Sequence, residues 1–476
     1  MGNAASTPFG DCLNSVCDGM ENCVAYPTTP FYHIEWAKSY NLDHIITPKA
    51  VVRPNSTNDV SEFVKCAAEY DIKVQARSGG HSYGNHGLGG EDGALSIDLV
   101  NLQKFEMDEE TWHATIGGGT HLGDVTDRMH DNGNRAMAHG TCPGVGIGGH
   151  ATVGGIGPAS RMWGTCMDHV LEVEVVTADG TVVRASEDEN SDLFFGMKGA
   201  GASFGIVTEF VVKTHDEPGT AVQYTYNLVF GSPSEIAPVY EAWQELAAEP
   251  ALDRRYASEF ILHALGAVVT VTFYGTEDEF NDTGIPQKMP FGGQGEPAKL
   301  ILDSWLGMVA AAAQNEALYI TDTPMPFNTK SVGLTASQIP DSDEIESFFD
   351  WVDSTDKGTP LWFLIWSVAG GAINDIPSNA TAFAHRDKLL YYDSYGIGVG
   401  DTVETFIAGA HSRVLDTTGL SSTDFPTYAG YIDVDLADGT AQNVYWGDNL
   451  PALMEVKKTW DPNNVFSNPQ SVRVAP

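Results

Sequence analysis

The chain has 476 residues, 42% hydrophobic and 19% charged, which is enough apolar material for a large core and more than one domain. Its 64 acidic residues against 25 basic ones leave a formal charge of −39, which repels nucleic acid and anionic membranes and favours neutral or cationic small molecules, besides plain solubility. No stretch of about 20 apolar residues occurs, so the sequence offers no membrane-spanning helix; fifty glycines with no visible period point to tight turns and close backbone approaches.

In chain order, Met1-Gly2-Asn3-Ala4-Ala5-Ser6 lacks the basic and apolar regions of a secretion signal. It fits the loose myristoylation pattern, but reads better as a start methionine placed before a mature N-terminus. Cys12, Cys17 and Cys23 crowd the next stretch, and the sequons at Asn55, Asn281 and Asn379 agree with an exported protein. These spacings lack the paired C-x-x-C knuckles of a zinc site. Residues 57–70 read as an amphipathic helix with Thr57 or Asn58 as N-cap, its apolar face carrying Val60, Phe63, Val64, Ala67 and Ala68. Ile72 to Ala76 reads as a strand. Val170 to Val176, a turn at Asp179-Gly180, Val182-Val183 and Ile206 to Val212 continue a β-rich region.

Character changes after Pro218. A helix is predicted over 235–248 with Pro238 in its first turn, two strands lie around Leu265-Gly266, and helices follow near 296–313 and 342–354. A β-rich stretch covers 360–373. From about 425 the earlier style returns, with a helix opened by Asp448-Asn449 and stopped by Asp461-Pro462. The whole reads as α+β, with an inserted antiparallel sheet covered by helices.

Two glycine-rich loops carry nucleophiles. His81 lies in Arg77-Ser78-Gly79-Gly80-His81-Ser82-Tyr83-Gly84, and Cys142 in Gly140-Thr141-Cys142-Pro143-Gly144-Val145-Gly146-Ile147-Gly148-Gly149-His150. Taken singly, His81 fits a hydrogen-bonded loop histidine and Cys142 an inert buried thiol. Together, in loops where glycine lets the backbone approach a large planar ligand, they point to two attachments on one ring system. Gly144-x-Gly146-x-x-Gly149 spells a dinucleotide fingerprint, yet Arg135 to His139 before it is poor strand material, so a Rossmann turn is not predicted. His81 and His86 have no third convergent ligand, and no metal is expected. His150 reads as a structural hydrogen-bonding residue beside the loop.

These stretches, with Tyr445-Trp446-Gly447-Asp448-Asn449-Leu450 and Pro462-Asn463-Asn464-Val465-Phe466, resemble the berberine-bridge-enzyme-like branch of the vanillyl-alcohol-oxidase flavoproteins, and within it the fungal oligosaccharide oxidases. The resemblance implies FAD linked to both His81 and Cys142, held in a VAO/PCMH-type FAD domain made of 1–216 and 425–476, with a substrate domain at 217–424. Arg77, Ser78, Gly79, Gly80, Ser82, Tyr83 and Gly84 would line the cofactor from one loop. Thr141, Val145, Gly146, Gly148, Gly149, His150 and Gly154 would do so from the other, joined by Ile206, Tyr445 and Asn449. A disulfide between Cys12 and Cys66 is implied, leaving Cys17 and Cys23 to pair.

The resemblance further implies that Tyr431 takes the substrate's hydroxyl proton, with Tyr83 beside it, and that valine at position 145 favours oxygen as electron acceptor. One departure matters: the aspartate that partners the tyrosine in those oxidases is Ser367 here, and two substrate-contacting glutamines are replaced by Ile365 and Ser394. Asp375 matches a carboxylate base of the plant alkaloid-forming members, so Tyr431 with Asp375 is the expected base and activator; a turn cap is the other reading of Asp375. Trp362 and Trp366 are the expected sugar-stacking platforms. The expected function is a secreted, monomeric flavoprotein oxidising the anomeric hydroxyl of mono- or oligosaccharides to the lactone, with O2 going to H2O2. The rival reading is a related oxidase or dehydrogenase acting on an alkaloid, polyketide or phenolic metabolite.

Overall fold

In the computed structural model, residues 7–291, 297–316 and 323–475 are described; the N-terminal hexapeptide lies outside them. The predicted first amphipathic helix runs Thr57–Glu69, but Ser56 caps it, its side chain accepting from the Asp59 N–H at 3.2 Å. Val60, Phe63, Val64 and Ala67 bury its apolar face, and Cys66 bridges to Cys12 on the helix Pro8–Val16. Cys17 bridges to Cys23.

Strands β1 (Val24–Ala25), β2 (Ala50–Val52), β3 (Val74–Arg77) and β4 (Leu95–Asp98) form a small sheet in the order β1-β2-β4-β3, with β4 parallel to both neighbours. Further on come β5 (Phe105–Met107), β6 (His113–Gly117) and the two-residue β7 (Arg135–Ala136), then β8 (Val170–Val176), β9 (Val182–Ser186), β10 (Ile206–Lys213) and β11 (His215–Asp216). Five of these build an antiparallel sheet ordered β5-β6-β10-β8-β9, while β7 pairs only with β11. The chain end returns to this region: the Val74 N–H donates to the Val465 carbonyl at 2.9 Å. Lys457 Nζ, fully buried, donates to Asp461 and to the carbonyls of Ser203 and Phe466.

Between them stands a seven-stranded antiparallel sheet of β12 (Ala221–Leu228), β13 (Tyr256–His263), β14 (Gly266–Phe273), β15 (Ala298–Leu302), β16 (Phe327–Leu334), β17 (Trp362–Val368) and β18 (Leu390–Ile397), ordered β15-β12-β14-β13-β17-β18-β16. Helices Ala237–Ala247, Ser342–Ser354 and Asp401–Thr418 cover one face, where Trp366 packs on Tyr240, Phe349 and Tyr392 and Trp362 on Phe406. The helix expected near 296–313 is in part strand: Lys299-Leu300-Ile301-Leu302 finds an edge partner in β12, and the helix begins only at Trp305. The β-rich stretch expected over 360–373 ends at Val368, where Gly370 and Gly371, both at positive φ, turn the chain into a 3-10 helix, Gly371–Asp375.

Candidate functional site

The uncovered face of the seven-stranded sheet and the two glycine loops enclose one cavity of about 370 Å³. Strand alternation decides which side chains reach it: Gln223 from β12, Ala257 and Glu259 from β13, Thr270 and Thr272 from β14, Ile365 and Ser367 from β17, Asp393 and Tyr395 from β18. Opposite them lie His81 and Cys142, carried on loops far apart in sequence, together with Tyr83 and Tyr431. Cys142 stands outside both disulfides.

The loops are fixed by their backbones. A Cβ on Gly79 would come within 2.3 Å of the Gly144 carbonyl oxygen and the Gly146 nitrogen, and one on Gly146 within 2.0 Å of the Gly79 nitrogen. Only glycine lets these two chains touch. Ser78 Oγ donates to the Gly118 carbonyl at 2.7 Å, and the Ile147 N–H donates to the Thr120 carbonyl at 2.9 Å, tying both loops to the segment after β6. A seven-residue helix, Ile147–Val153, starts at Gly146, so the loop does run into a helix. What is missing for a dinucleotide turn is the preceding long strand, β7 being two residues.

Tyr40, which sequence reasoning passed over, lies against His81 with ring centroids 4.6 Å apart. Tyr83 stacks on Tyr431 at 6.3 Å and 14°, and its hydroxyl meets that of Tyr395 at 2.7 Å. Tyr431 packs edge-on against Tyr428 at 5.1 Å, and the Tyr428 hydroxyl accepts from the Gly155 N–H at 2.7 Å. His150 Nε2 accepts the Gly140 N–H at 2.8 Å; burial, then His139 and His81, push its pKa down to about 3, so it is neutral and holds the loop. Arg77 is spent on Asp98 and the Trp36 carbonyl.

Arg77, Ser78, Gly79, Gly80, Ser82, Thr141, Val145, Gly146, Gly149 and Tyr445 also border the cavity. Gly84 instead packs by His86 and Ile432, Gly148 under the Gly118 carbonyl, and Gly154 beneath Tyr428 and Phe383. Ile206 is in the core of the N-terminal sheet, and the Asn449 amide donates to the carbonyls of Ser378 and Thr381, which makes it a loop tie.

Four expectations are corrected. Asp375 is half-exposed and forms a two-pronged ion pair with Arg254 at 2.6 and 2.9 Å, away from the cavity lining. Trp362 and Trp366 are 4% and 3% exposed on the helix-covered face, so they are core side chains, as large aromatics at alternate strand positions must be when that face is buried. Ser394 points to the same covered face, its hydroxyl donating to the Lys330 carbonyl; the cavity residue next to it is Asp393. The signal for Asp393 was present in the sequence as a charge in the middle of Leu390-Tyr391-Tyr392-Asp393-Ser394-Tyr395.

The cavity fits a flat, glycine-cradled ligand: two loop backbones in contact, one histidine and one cysteine side chain facing in, and tyrosines along the far wall. Residues 48–186 match the family model described as FAD binding domain, and residues 427–473 that described as berberine and berberine like. The FAD-linked oxidoreductase sorD of Penicillium rubens is 38% identical over 98% of this chain and 99% of its own length. Xylooligosaccharide oxidase of Thermothelomyces thermophilus is 32% identical over 99% and 97%. Glucooligosaccharide oxidase from Acremonium strictum, a structure titled for its 6-S-cysteinyl, 8α-N1-histidyl FAD, superposes with a TM-score of 0.87 at 28% identity over 98% of this chain and all of that one.

Proposed function

The chain belongs to the berberine-bridge-enzyme-like FAD-linked oxidoreductases, and within that family we propose that it is an oxidase holding FAD covalently through His81 and Cys142 and oxidising the anomeric hydroxyl of a mono- or oligosaccharide to the lactone, with O2 reduced to H2O2. The observation that carries this is the convergence of His81, Cys142, Tyr83 and Tyr431 on one cavity from three separate segments. FAD, when bound, supplies a hydride acceptor that oxygen can reoxidise.

The chain's own groups do the rest. Tyr431 takes the hydroxyl proton as a phenolate, a form that an ordinary tyrosine, with a pKa near 10, scarcely populates at neutral pH. Tyr83 is stacked parallel to it, and Tyr395 is joined to Tyr83 by their hydroxyls, so the wall of phenols continues from Tyr431. Val145 borders the cavity beside Cys142, with its side chain as the apolar surface through which oxygen approaches. Secretion is part of the proposal: two disulfides suit an oxidising compartment, and Asn55, Asn281 and Asn379 are all exposed. So is a monomer with the FAD domain split between 1–216 and 425–476. No helix among the described residues is long and apolar enough to cross a membrane.

A second reading, oxidation of a phenolic, polyketide or alkaloid metabolite, is favoured by Ile365 and Ser367, which stand in the cavity wall where the sugar oxidases resembled by the sequence carry an amide and an acid. Two measurements decide. Acid-precipitated protein must stay yellow, and peroxide release across sugars and aromatic alcohols must favour the sugars. Colourless precipitate removes the covalent linkage, and peroxide from aromatic alcohols alone removes the carbohydrate assignment.

A further inference from the structure

Tyr431 sits on a segment, residues 426–433, that is neither helix nor strand. A side chain on such backbone keeps its place through ties to its surroundings. The edge strand β16 supplies them at both ends of the segment. The Gly333 N–H donates to the Pro426 carbonyl at 2.8 Å, and the hydroxyls of Ser331 and Thr427 share a hydrogen bond. Lys330 Nζ donates to Asp433 Oδ1 at 2.5 Å and to Asp435 Oδ2 at 2.6 Å. The side chains of Lys330 and Asp433 are 12% and 7% exposed, whereas Asp435 is 68% exposed.

Asp433 is gripped from behind as well. Its N–H donates to the Tyr445 hydroxyl at 3.1 Å, that hydroxyl donates to Gln470 Oε1 at 3.1 Å, and Gln470 Nε2 donates back to the Asp433 carbonyl at 2.7 Å. Two residues of chain reach at most about 7 Å, so fixing residue 433 fixes the backbone that carries Tyr431. On the other side the Tyr431 N–H donates to the Tyr428 carbonyl at 2.9 Å. Burial pushes the Asp433 carboxyl up, and the Lys330 ammonium works against that shift. A buried ion pair adds little stability over an apolar pair of the same volume, but it admits few geometries. Its value at this place is the fixed position of the loop.

We infer that Lys330 is a positioning residue for the oxidation: through Asp433 it sets where the Tyr431 phenol stands in the cavity. Its effect on rate rests on the reading of Tyr431 as the base. Its effect on the ring rests on the geometry alone.

The test uses the holoenzyme with xylobiose, and anaerobic rapid mixing reads the limiting rate of flavin bleaching and the apparent Kd. Lys330→Met is expected to slow the limiting rate about 10- to 100-fold and to leave the apparent Kd within about threefold of wild type. That substitution also strands a buried carboxylate and should lower the melting temperature. Adding Asp433→Asn removes the stranded charge, and should restore melting while the rate stays low. A rate recovered together with melting makes Lys330 a stability residue only and overturns the inference. In a Tyr431→Phe background, Lys330→Met should cost less than about twofold further, because both changes act on one phenol. A full additional loss there also overturns it.

A reading independent of turnover comes from 3-fluorotyrosine placed at position 431 of the holoenzyme. Its fluorine resonance should be single and narrow in the otherwise wild-type protein, and broadened or split when Lys330→Met and Asp433→Asn are combined. An unchanged resonance overturns the inference. Full rate in Tyr431→Phe removes the base reading, and a flavin that xylobiose and other sugars fail to bleach removes the carbohydrate reading. In either case the fluorine spectra still decide whether Lys330 sets the ring.

Discussion

Substituting Gly146 by alanine tests whether the contact between the two loops is what makes the cofactor site. Gly146 has φ −85°, an ordinary value, so the whole effect is steric. The added carbon would lie 2.0 Å from the Gly79 nitrogen and 2.1 Å from Ser78 Oγ. Comfortable contact begins near ~3.5 Å, so the loops must part by about 1.5 Å. Neither can retreat freely: a Cβ on Gly79 would already be 2.3 Å from Gly144, and Ser78 is bonded to Gly118. Overpacking of this kind costs about 1–3 kcal/mol, and a displacement of about 1 Å slows a positioned reaction by about 10²-fold. Gly146→Ala is therefore expected to melt several degrees lower and to carry a small fraction of the wild-type flavin after acid precipitation. Gly149→Ala, whose added carbon meets no protein atom within 4 Å, is the control for folding and should melt as wild type does. Wild-type flavin content and melting in Gly146→Ala would refute the reasoning.

Cys142→Ser is expected to remain yellow on denaturation through His81, and the double variant with His81→Ala to come out colourless; the spectrum of the precipitate checks both. Tyr431→Phe should keep its flavin yet lose about 10²–10⁴-fold in kcat if the phenol is the base, measured by peroxide release. Lys457→Met strands Asp461, which is 0% exposed, and should destabilise by about 3–5 kcal/mol in denaturant titration. Burial is the main cause that pushes His169 to about 3 and His385 to about 4, so both stay neutral in the folded state while the unfolded chain takes up protons below pH 6.5. That stability is complete above pH 6.5 and falls as pH drops towards 4, by about 1.4 kcal/mol per pH unit for each histidine. His169→Gln should flatten the slope of unfolding free energy against pH by one such increment.

Much of the site was legible because its residues sit in short local motifs. Arg77 through Gly84 and Thr141 through His150 need no tertiary knowledge to read, since glycines at tight approaches and paired nucleophiles are features of neighbours in sequence. The substrate wall is different in kind. Trp362 and Ser367 lie on one strand, five residues apart, yet the first packs against Phe406 in the core and the second faces the cavity. Asp375 matched a carboxylate base of the plant alkaloid-forming members, and its ion pair with Arg254, 121 residues away in sequence, holds it away from the cavity.

The sequence by itself therefore determined the two glycine-rich loops that carry His81 and Cys142 to the cavity, the disulfide-bearing N-terminus, most helices and strands, and the family, because those depend on local composition, periodicity and motif. Only the tertiary structure decided which acids and aromatics face the cavity. A strand's side chains alternate, so one residue's shift in register exchanges core for site. The pairing of β13 with β17 that sets Glu259 opposite Ser367 joins segments more than a hundred residues apart, and β18 then brings Asp393 beside Ile365.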